Sequence, residues 1–241
     1  MRILSSTAII IKKRDFLESD MIVTLLGSDG MRFEAIAKGA LNGTSRRKNH
    51  IEIMNLISGT FFRSKNHIYL QTVQCESSFP TLKKNLEQIF SLSYILEIIE
   101  KTILENDPHP EIYSLLLETL TQANKEEISP NLIESTLIKL AKHLGFLPSF
   151  KSCSSCHKTL DEDTASWDPN SGTLHCASCG KEHFLHMPLK YRKALDFFQK
   201  APRSECEKVF VNSEEKNVLK AFIPKLFESH MDSPLKSLMQ I

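Results

Sequence analysis

Apolar and polar positions alternate with a two-residue period through short stretches of the first eighty residues. Thr7–Lys12, Met21–Leu26, Met31–Lys38, Ile51–Phe62 and His67–Cys75 are rich in Ile, Val, Thr, Phe and Tyr, and each reads as a strand. Ser28-Asp29-Gly30 predicts a turn between the second and third, and Ser64-Lys65-Asn66 one between the last two. Gly27, Gly30, Gly39, Gly43 and Gly59 fall in this stretch, where a small closed sheet needs tight corners. Five short strands in so little chain fit a small barrel of the OB type. An SH3-like barrel has the same strand count, which alone does not separate the two.

At Phe79-Pro80 the period changes. Leu82, Leu86, Ile89, Leu96, Ile99 and Ile103 recur at helical spacing until Asp107-Pro108-His109-Pro110 breaks the pattern. Ile112, Leu115, Leu116 and Leu120 mark a second helix. A third is predicted with Ser129 as N-cap, Pro130 as first residue and Gly145 just beyond the end, its stripe running through Leu132, Ile133, Leu137, Leu140 and Leu144. These stripes read as a helical core. Helical patterns return after Pro188, with Leu189, Ala194, Leu195 and Phe198, then Val218, Leu219, Phe222 and Leu226.

Between the helical stretches lies an insert of different composition, residues 151–183, with a turn predicted at Asp168-Pro169-Asn170-Ser171-Gly172. Cys153-Ser-Ser-Cys156 and Cys176-Ala-Ser-Cys179 form a double CxxC. Each pair can grip one ion from a tight knuckle, and a hairpin between them closes a tetrahedron, the spacing expected of Zn²⁺. Four thiolates leave no open position, so the metal is read as structural. Two disulfides, an iron–sulfur cluster and a redox dithiol are the rival readings; a reducing compartment disfavours the first, and the lack of a neighbouring βαβ pattern the last. Gly180 is expected to let the chain turn beneath the sulfurs. His157, His175, His183 and His186 crowd the site but are not needed as ligands. Cys75 and Cys206 read as small core residues.

With 241 residues, 41% hydrophobic and 24% charged, the chain can bury a sizeable core, which excludes a disordered chain or a disulfide miniprotein. No run approaches the roughly 20 apolar residues of a membrane span. The apolar run Ala8–Ile11 stops at Lys12-Lys13-Arg14 with no cleavage site after it, so a cytoplasmic address is expected. Walker A, GxGxxG, GxSxG and HExxH motifs are missing. Asp161-Glu162-Asp163 sit in the polar insert and read as solvated. No nucleophile, base and orienting group can be assembled, so an enzyme is not expected.

The net charge of +1 hides an asymmetry. Residues 1–80 hold 11 Lys+Arg against 7 Asp+Glu, residues 81–150 hold 6 against 10, and residues 151–241 hold 13 against 12. In the basic first third the cations clump as Lys12-Lys13-Arg14, Lys38, Arg46-Arg47-Lys48, and Arg63 with Lys65. The densest clump lies in a loop predicted over Gly39–His50. A flexible basic loop beside a barrel can track phosphates, with Lys38, Arg46, Arg47 and Lys48 leading and the others in support. Aromatic residues able to stack on bases are few: Phe33, Phe61, Phe62 and Tyr69. The acidic middle third is expected to contribute little to DNA contact and to serve protein partners instead.

The order of these features resembles the bacterial recombination mediator family RecO. Glu18-Ser-Asp20-Met-Ile-Val-Thr-Leu-Leu26 with Asp29-Gly30 is similar to that family's first hairpin. Ile36-Ala37-Lys38-Gly39-Ala40 followed by Ser45-Arg46-Arg47 resembles its basic loop. Leu144-Gly145-Phe146-Leu147-Pro148 resembles its approach to the zinc module, and Pro234-Leu235-Lys236-Ser237 its terminal motif. Two positions depart: Leu238 stands where a basic residue is frequent, and His157 where glycine is usual after the first CxxC. The resemblance implies a non-enzymatic protein of DNA repair that binds single- and double-stranded DNA and anneals strands. It also implies partnership with RecR and single-stranded DNA-binding protein in loading RecA.

The expected fold is therefore α+β and multidomain. Residues 1–80 form an OB-fold-like barrel, 81–150 the first part of a helical domain, 151–183 a zinc module inserted in it, and 184–241 its second part. The competing functional reading is a zinc-ribbon adaptor acting only through protein–protein contacts.

Overall fold

The computed structural model describes residues 2–125, 131–160, 163–209 and 213–237. The chain packs as two compact units, Met1–Glu127 and Ile128–Ile241.

The first unit is built on five strands: β1 (Arg2–Phe16), β2 (Asp20–Gly27), β3 (Arg32–Ala37), β4 (Leu56–Arg63) and β5 (Ile68–Ser77). They close into a barrel in the order β1-β2-β3-β5-β4, the OB-like arrangement expected. β1 is far longer than its predicted core because it pairs twice. Its first half runs antiparallel to β4, from Arg2 opposite Arg63 to Ile9 opposite Leu56. Its second half pairs with β2, from Ala8 opposite Gly27 to Phe16 opposite Asp20. A bulge between Ile10 and Lys12 bends the strand from one partner to the other. Alternation sends Ala8, Ile10, Met21, Val23, Leu25, Ala35, Ala37, Ile57, Phe61 and Leu70 into the barrel core.

Ile51–Asn55, read as the start of the fourth strand, is a turn. Met54 is left-handed at φ 71°, which no strand accepts, and its N–H donates to the Ile10 carbonyl at 2.8 Å. The turn inserts Ile51 into the barrel core, fully buried.

The helix predicted from Leu82 begins later. Leu82–Lys84 is a 3-10 turn, and α1 (Leu86–Thr102) follows an Asn85 cap whose side chain accepts from the Gln88 N–H. Leu86 accordingly points to solvent, 69% exposed, instead of joining the core stripe. α2 (Pro110–Ala123) starts with proline in its first turn. The Ser28–Gly30 turn docks on the start of this helix: the His109 N–H donates to the Gly30 carbonyl at 3.1 Å.

In the second unit α3 (Leu132–His143) ends at left-handed Gly145 as expected. Ser129 and Pro130 lie outside the described residues, as does Leu238. Asn131 caps α3 by position, but its amide donates instead to the carbonyls of Cys206 and Val209. Three short strands follow, β6 (Ser166–Asp168), β7 (Thr173–His175) and β8 (Leu185–His186), in the order β7-β6-β8. Then come α4 (Leu189–Lys200), α5 (Arg203–Cys206) and α6 (Ser213–Glu228). Trp167 on β6 is fully buried edge-on to Phe222 of α6, with ring centroids 4.8 Å apart. Among the described residues, no helix is long and apolar enough to cross a membrane.

Gly30 has φ 81°, and a Cβ there would lie 2.1 Å from the His109 carbonyl carbon. Gly30→Ala combines a left-handed alanine with a backbone collision. It should cost about 3 kcal/mol or more, the left-handed conformation alone accounting for about 1–2. Gly43→Ala, where a Cβ meets open space, should change stability little. Differential scanning calorimetry of both variants checks the contrast; equal midpoints would disprove the docking of the hairpin on α2.

Candidate metal centre and cationic barrel face

The β6–β7 hairpin brings the two CxxC knuckles together. Its turn is held by Asp168, whose carboxylate accepts from the Asn170 N–H at 2.9 Å and the Ser171 hydroxyl at 2.8 Å. The first knuckle is tied to the hairpin by the Ser154 N–H donating to the Leu174 carbonyl at 2.8 Å. The four sulfurs of Cys153, Cys156, Cys176 and Cys179 all lie within 4.8 Å of one another, and Cys156 and Cys176 stand 3.7 Å apart. A tetrahedron with Zn–S bonds of about 2.3 Å has edges of about 3.8 Å, so the set fits a zinc-sized ion.

The electrostatics point the same way. Burial raises the Cys153 thiol, but the backbone N–H groups of Cys156, Cys176 and Ser155 outweigh it and hold it to about 5. The hydrogen bonds its thiol donates to Cys156 and Cys176, burial and the Cys153 charge push Cys179 up to about 12. Sulfurs this close ionise together only if a cation shares the site.

The histidines divide. His175 is buried, its Nδ1 3.1 Å from the Ser155 hydroxyl and its Nε2 2.9 Å from the Thr173 hydroxyl, so both nitrogens are engaged away from the sulfurs. His186 Nε2 lies 2.8 Å from the Asp163 carbonyl. At Gly180 the chain turns beneath the sulfurs as expected, the Gly180 N–H donating to the Cys176 carbonyl at 2.8 Å. Space also requires glycine there: a Cβ would lie 2.5 Å from the Ser166 hydroxyl. Cys206 is a core residue, whereas Cys75 is only half-buried.

Buried Arg192 of α4 fastens the cysteine module to its unit. It donates to the carbonyls of Phe150 and Met187, both at 3.3 Å, and to that of Leu160. Those carbonyls lie where the chain enters the module, where it leaves the first knuckle, and where it exits. The sequence offered no sign of this, since an arginine on an amphipathic helix reads as solvated.

The barrel's basic residues fall into three classes. Lys12, Lys13 and Arg14 each face an acid: Glu100 at 3.0 Å, Glu52 at 2.5 Å and Glu34 at 3.4 Å. Arg47 holds the loop in place. β5 bulges at Gln71, between the pairs Thr60–Thr72 and Phe61–Leu70, which frees carbonyls from the ladder. Arg47 donates to the Gln71 carbonyl at 2.8 Å and the Leu70 carbonyl at 3.4 Å. The loop, predicted as flexible, is a series of tight turns. It is tied also by the Gly39 N–H to Asp20 at 2.8 Å and the Leu41 N–H to the Ser19 carbonyl at 2.9 Å. The third class is exposed: Lys38, Arg46, Lys48, Arg63 and Lys65. Arg63 and Lys65, with Arg14 and Arg32, line a cavity of about 520 Å³ beside β3. Of the aromatic residues, Phe61 is buried and Phe33 packs edge-on to it at 5.2 Å, while Phe62 and Tyr69 are half-exposed.

A family model described as "Recombination protein O N terminal" matches residues 1–79, and one described as "Recombination protein O C terminal" matches residues 83–239. The chain belongs to the RecO family. Among its relatives, the DNA repair protein RecO of Thermoanaerobacter sp. (strain X514) is 27% identical over 240 residues, covering 98% of this chain and 96% of that protein. The DNA repair protein RecO of Syntrophobacter fumaroxidans (strain DSM 10017 / MPOB) is 30% identical over 177 residues, covering 73% and 71%. That of Caldanaerobacter subterraneus subsp. tengcongensis is 26% identical over 242 residues, covering 98% and 96%.

Against the RecO pattern the departure at His157 has a visible consequence. His157 is left-handed at φ 60°, with its N–H on the Cys153 carbonyl at 2.9 Å and its ring exposed. A left-handed non-glycine residue costs about 1–2 kcal/mol, part of which glycine returns through the entropy of the unfolded chain. His157→Gly should therefore stabilise the second unit by about 0.5–1 kcal/mol. Denaturant unfolding followed by the fluorescence of Trp167, the chain's one tryptophan, reads this directly; an unchanged or lower midpoint would refute it.

Proposed function

We propose that this chain is a DNA-binding recombination mediator of DNA repair, of the RecF-pathway type, that acts by binding and not by catalysis in the bacterial cytoplasm. The observation that carries the reading is a closed OB-like barrel whose exposed cations gather on adjoining loops, in a chain matched along both halves by RecO models. Such a barrel with a cationic groove binds nucleic acid through phosphates, without sequence preference. Lys38, Arg46, Lys48, Arg63 and Lys65 are the leading phosphate contacts. Lys12, Lys13 and Arg14 add less, because neighbouring carboxylates cancel much of their field. Arg47 supports the loop.

Binding to both single- and double-stranded DNA, strand annealing, and RecA loading with RecR on DNA coated by single-stranded DNA-binding protein follow from family membership and belong to the same proposal. So does the division of labour. Residues 1–80 contact DNA, the helices of residues 81–150 pack core and meet protein partners, and 151–183 hold one structural Zn²⁺ on Cys153, Cys156, Cys176 and Cys179.

Two measurements test this. Elemental analysis should find one zinc per chain, and Cys176→Ser should release it and lower the stability of the second unit, since the metal contributes to folding. Metal-free native protein would refute the zinc assignment. Titration with single-stranded DNA across salt concentrations should give a steep slope. The combined Lys38→Gln, Arg46→Gln and Lys48→Gln variant should flatten it by about 2 units, at about 0.7 per phosphate contact. Salt-insensitive or absent binding by the parent protein would favour a zinc-ribbon adaptor.

A further inference from the structure

We propose that Phe62 and Tyr69 form a stacking platform for the unpaired bases of single-stranded nucleic acid, on the outer face of the β4–β5 hairpin. This deepens the DNA-binding reading and rests on it.

Strand alternation decides which rings are available. Phe61 and Leu70 point into the barrel core and Ile68 packs against it, so their strand neighbours Phe62 and Tyr69 point outward. The register sets Phe62 directly opposite Tyr69. Their ring centroids lie 6.4 Å apart with planes inclined by 32°, so the two rings lie side by side and do not stack on one another. His67, in the turn, meets Tyr69 edge-on at 6.2 Å with planes at 76°. Phe62 and Tyr69 are half-exposed and His67 fully so.

The surroundings select the ligand. The Phe62 and Tyr69 rings floor a groove of about 580 Å³ whose walls are Lys38, Arg47, Leu70 and Gln71, and among the described residues no carboxylate lines it. The Lys38 ammonium lies 5.0 Å from the centre of the Tyr69 ring, where it can meet a phosphate while the ring receives a base. Exposed Arg63 and Lys65 lie at the hairpin turn and line the neighbouring cavity beside β3 instead. An apolar segment of a protein could also cover aromatic rings, but a rim of cations without a carboxylate calls for a polyanion that presents flat π-faces. Single-stranded nucleic acid has both, whereas a duplex hides its base faces. Farther along the hairpin the outward cross-strand pair is Thr60–Thr72, joined by hydroxyls at 2.6 Å. The aromatic residues are thus confined to the end where the cations are.

The test compares three ligands of equal phosphate number at fixed salt, using the full chain and fluorescence anisotropy: oligo-dT, an abasic strand and a blunt duplex. The double variant Phe62→Leu with Tyr69→Leu keeps apolar cross-strand packing but removes both π-faces; Tyr69→Phe keeps the ring. The leucine variant should bind oligo-dT about 5- to 100-fold more weakly for each stack lost. Its abasic and duplex affinities and its salt slope should be unchanged, and Tyr69→Phe should behave as the parent. Equal loss on oligo-dT and the abasic strand, or no loss on either, would overturn the platform while leaving DNA binding intact. No binding of any ligand by the parent protein would overturn both readings. If the leucine variant fails to fold, ultraviolet crosslinking of the parent protein to oligo-dT decides. Adducts on Phe62 or Tyr69 support the platform, and adducts confined to other peptides refute it.

Discussion

A five-stranded sheet this small has no stable edge, and the first unit rests on removing its edges by letting one strand pair twice. β1 does this through the bulge at Ile11, handing its ladder from β4 to β2. Closure on the far side is much slighter: β3 meets β5 in parallel, with Ile36 opposite Tyr69. The Gly39–His50 loop leaves β3 and the Ser64–His67 loop leads into β5, so the two loops belong to the strands of this seam. The second bulge, at Gln71, turns carbonyls out of the ladder beside the same seam, where Arg47 takes them up. An unpaired carbonyl and an unpaired guanidinium each cost free energy when shielded from water, and pairing them fixes the loop. The cationic face thus follows from how the barrel closes.

The cysteine module obeys a different constraint. β6, β7 and β8 are three, three and two residues long, too short for a sheet to persist by its own hydrogen bonds. Four sulfurs that converge on one point can hold an ion, and an ion held there would supply a crosslink in place of a core. The module is then joined to the helices by one large apolar contact, Trp167 on Phe222, and by one polar clamp, Arg192 on three backbone carbonyls. Burying a guanidinium is tolerable only because those carbonyls replace its water. Their placement makes the base of the module and the frame of α4 a single object.

Features set by local periodicity were legible in the sequence: the five strands, the break at Asp107–Pro110, the end of α3 at Gly145 and the hairpin between the knuckles. The CxxC spacing was legible for the same reason, because the geometry of a metal knuckle lies within four residues. What escaped depends on distant partners. Ile51–Asn55 alternates like a strand but is bent by a backbone bond to Ile10. Leu86 lies on the helical stripe, yet Asn85 starts the helix only there and leaves it facing solvent. Gly180 signalled its turn, but not the second demand on the position, the Ser166 side chain of β6 that presses against it.

The same distinction governs the basic residues. Lys12-Lys13-Arg14 and Arg46-Arg47-Lys48 are equivalent as strings of cations, and no local property separates them. In the fold, the first string meets Glu100, Glu52 and Glu34 from three different parts of the chain. Exposed pairs of this kind add little stability, about 0–1 kcal/mol each. Their consequence is electrostatic, since paired charges project little field beyond a Debye length. The second string is held by its middle member on neutral carbonyls, and among the described residues Arg46 and Lys48 face no acid, so they stand as full charges on a fixed loop. A chain with a net charge of only +1 can thereby present a strong local field, because what attracts a polyanion is the arrangement of unpaired charge and not its total.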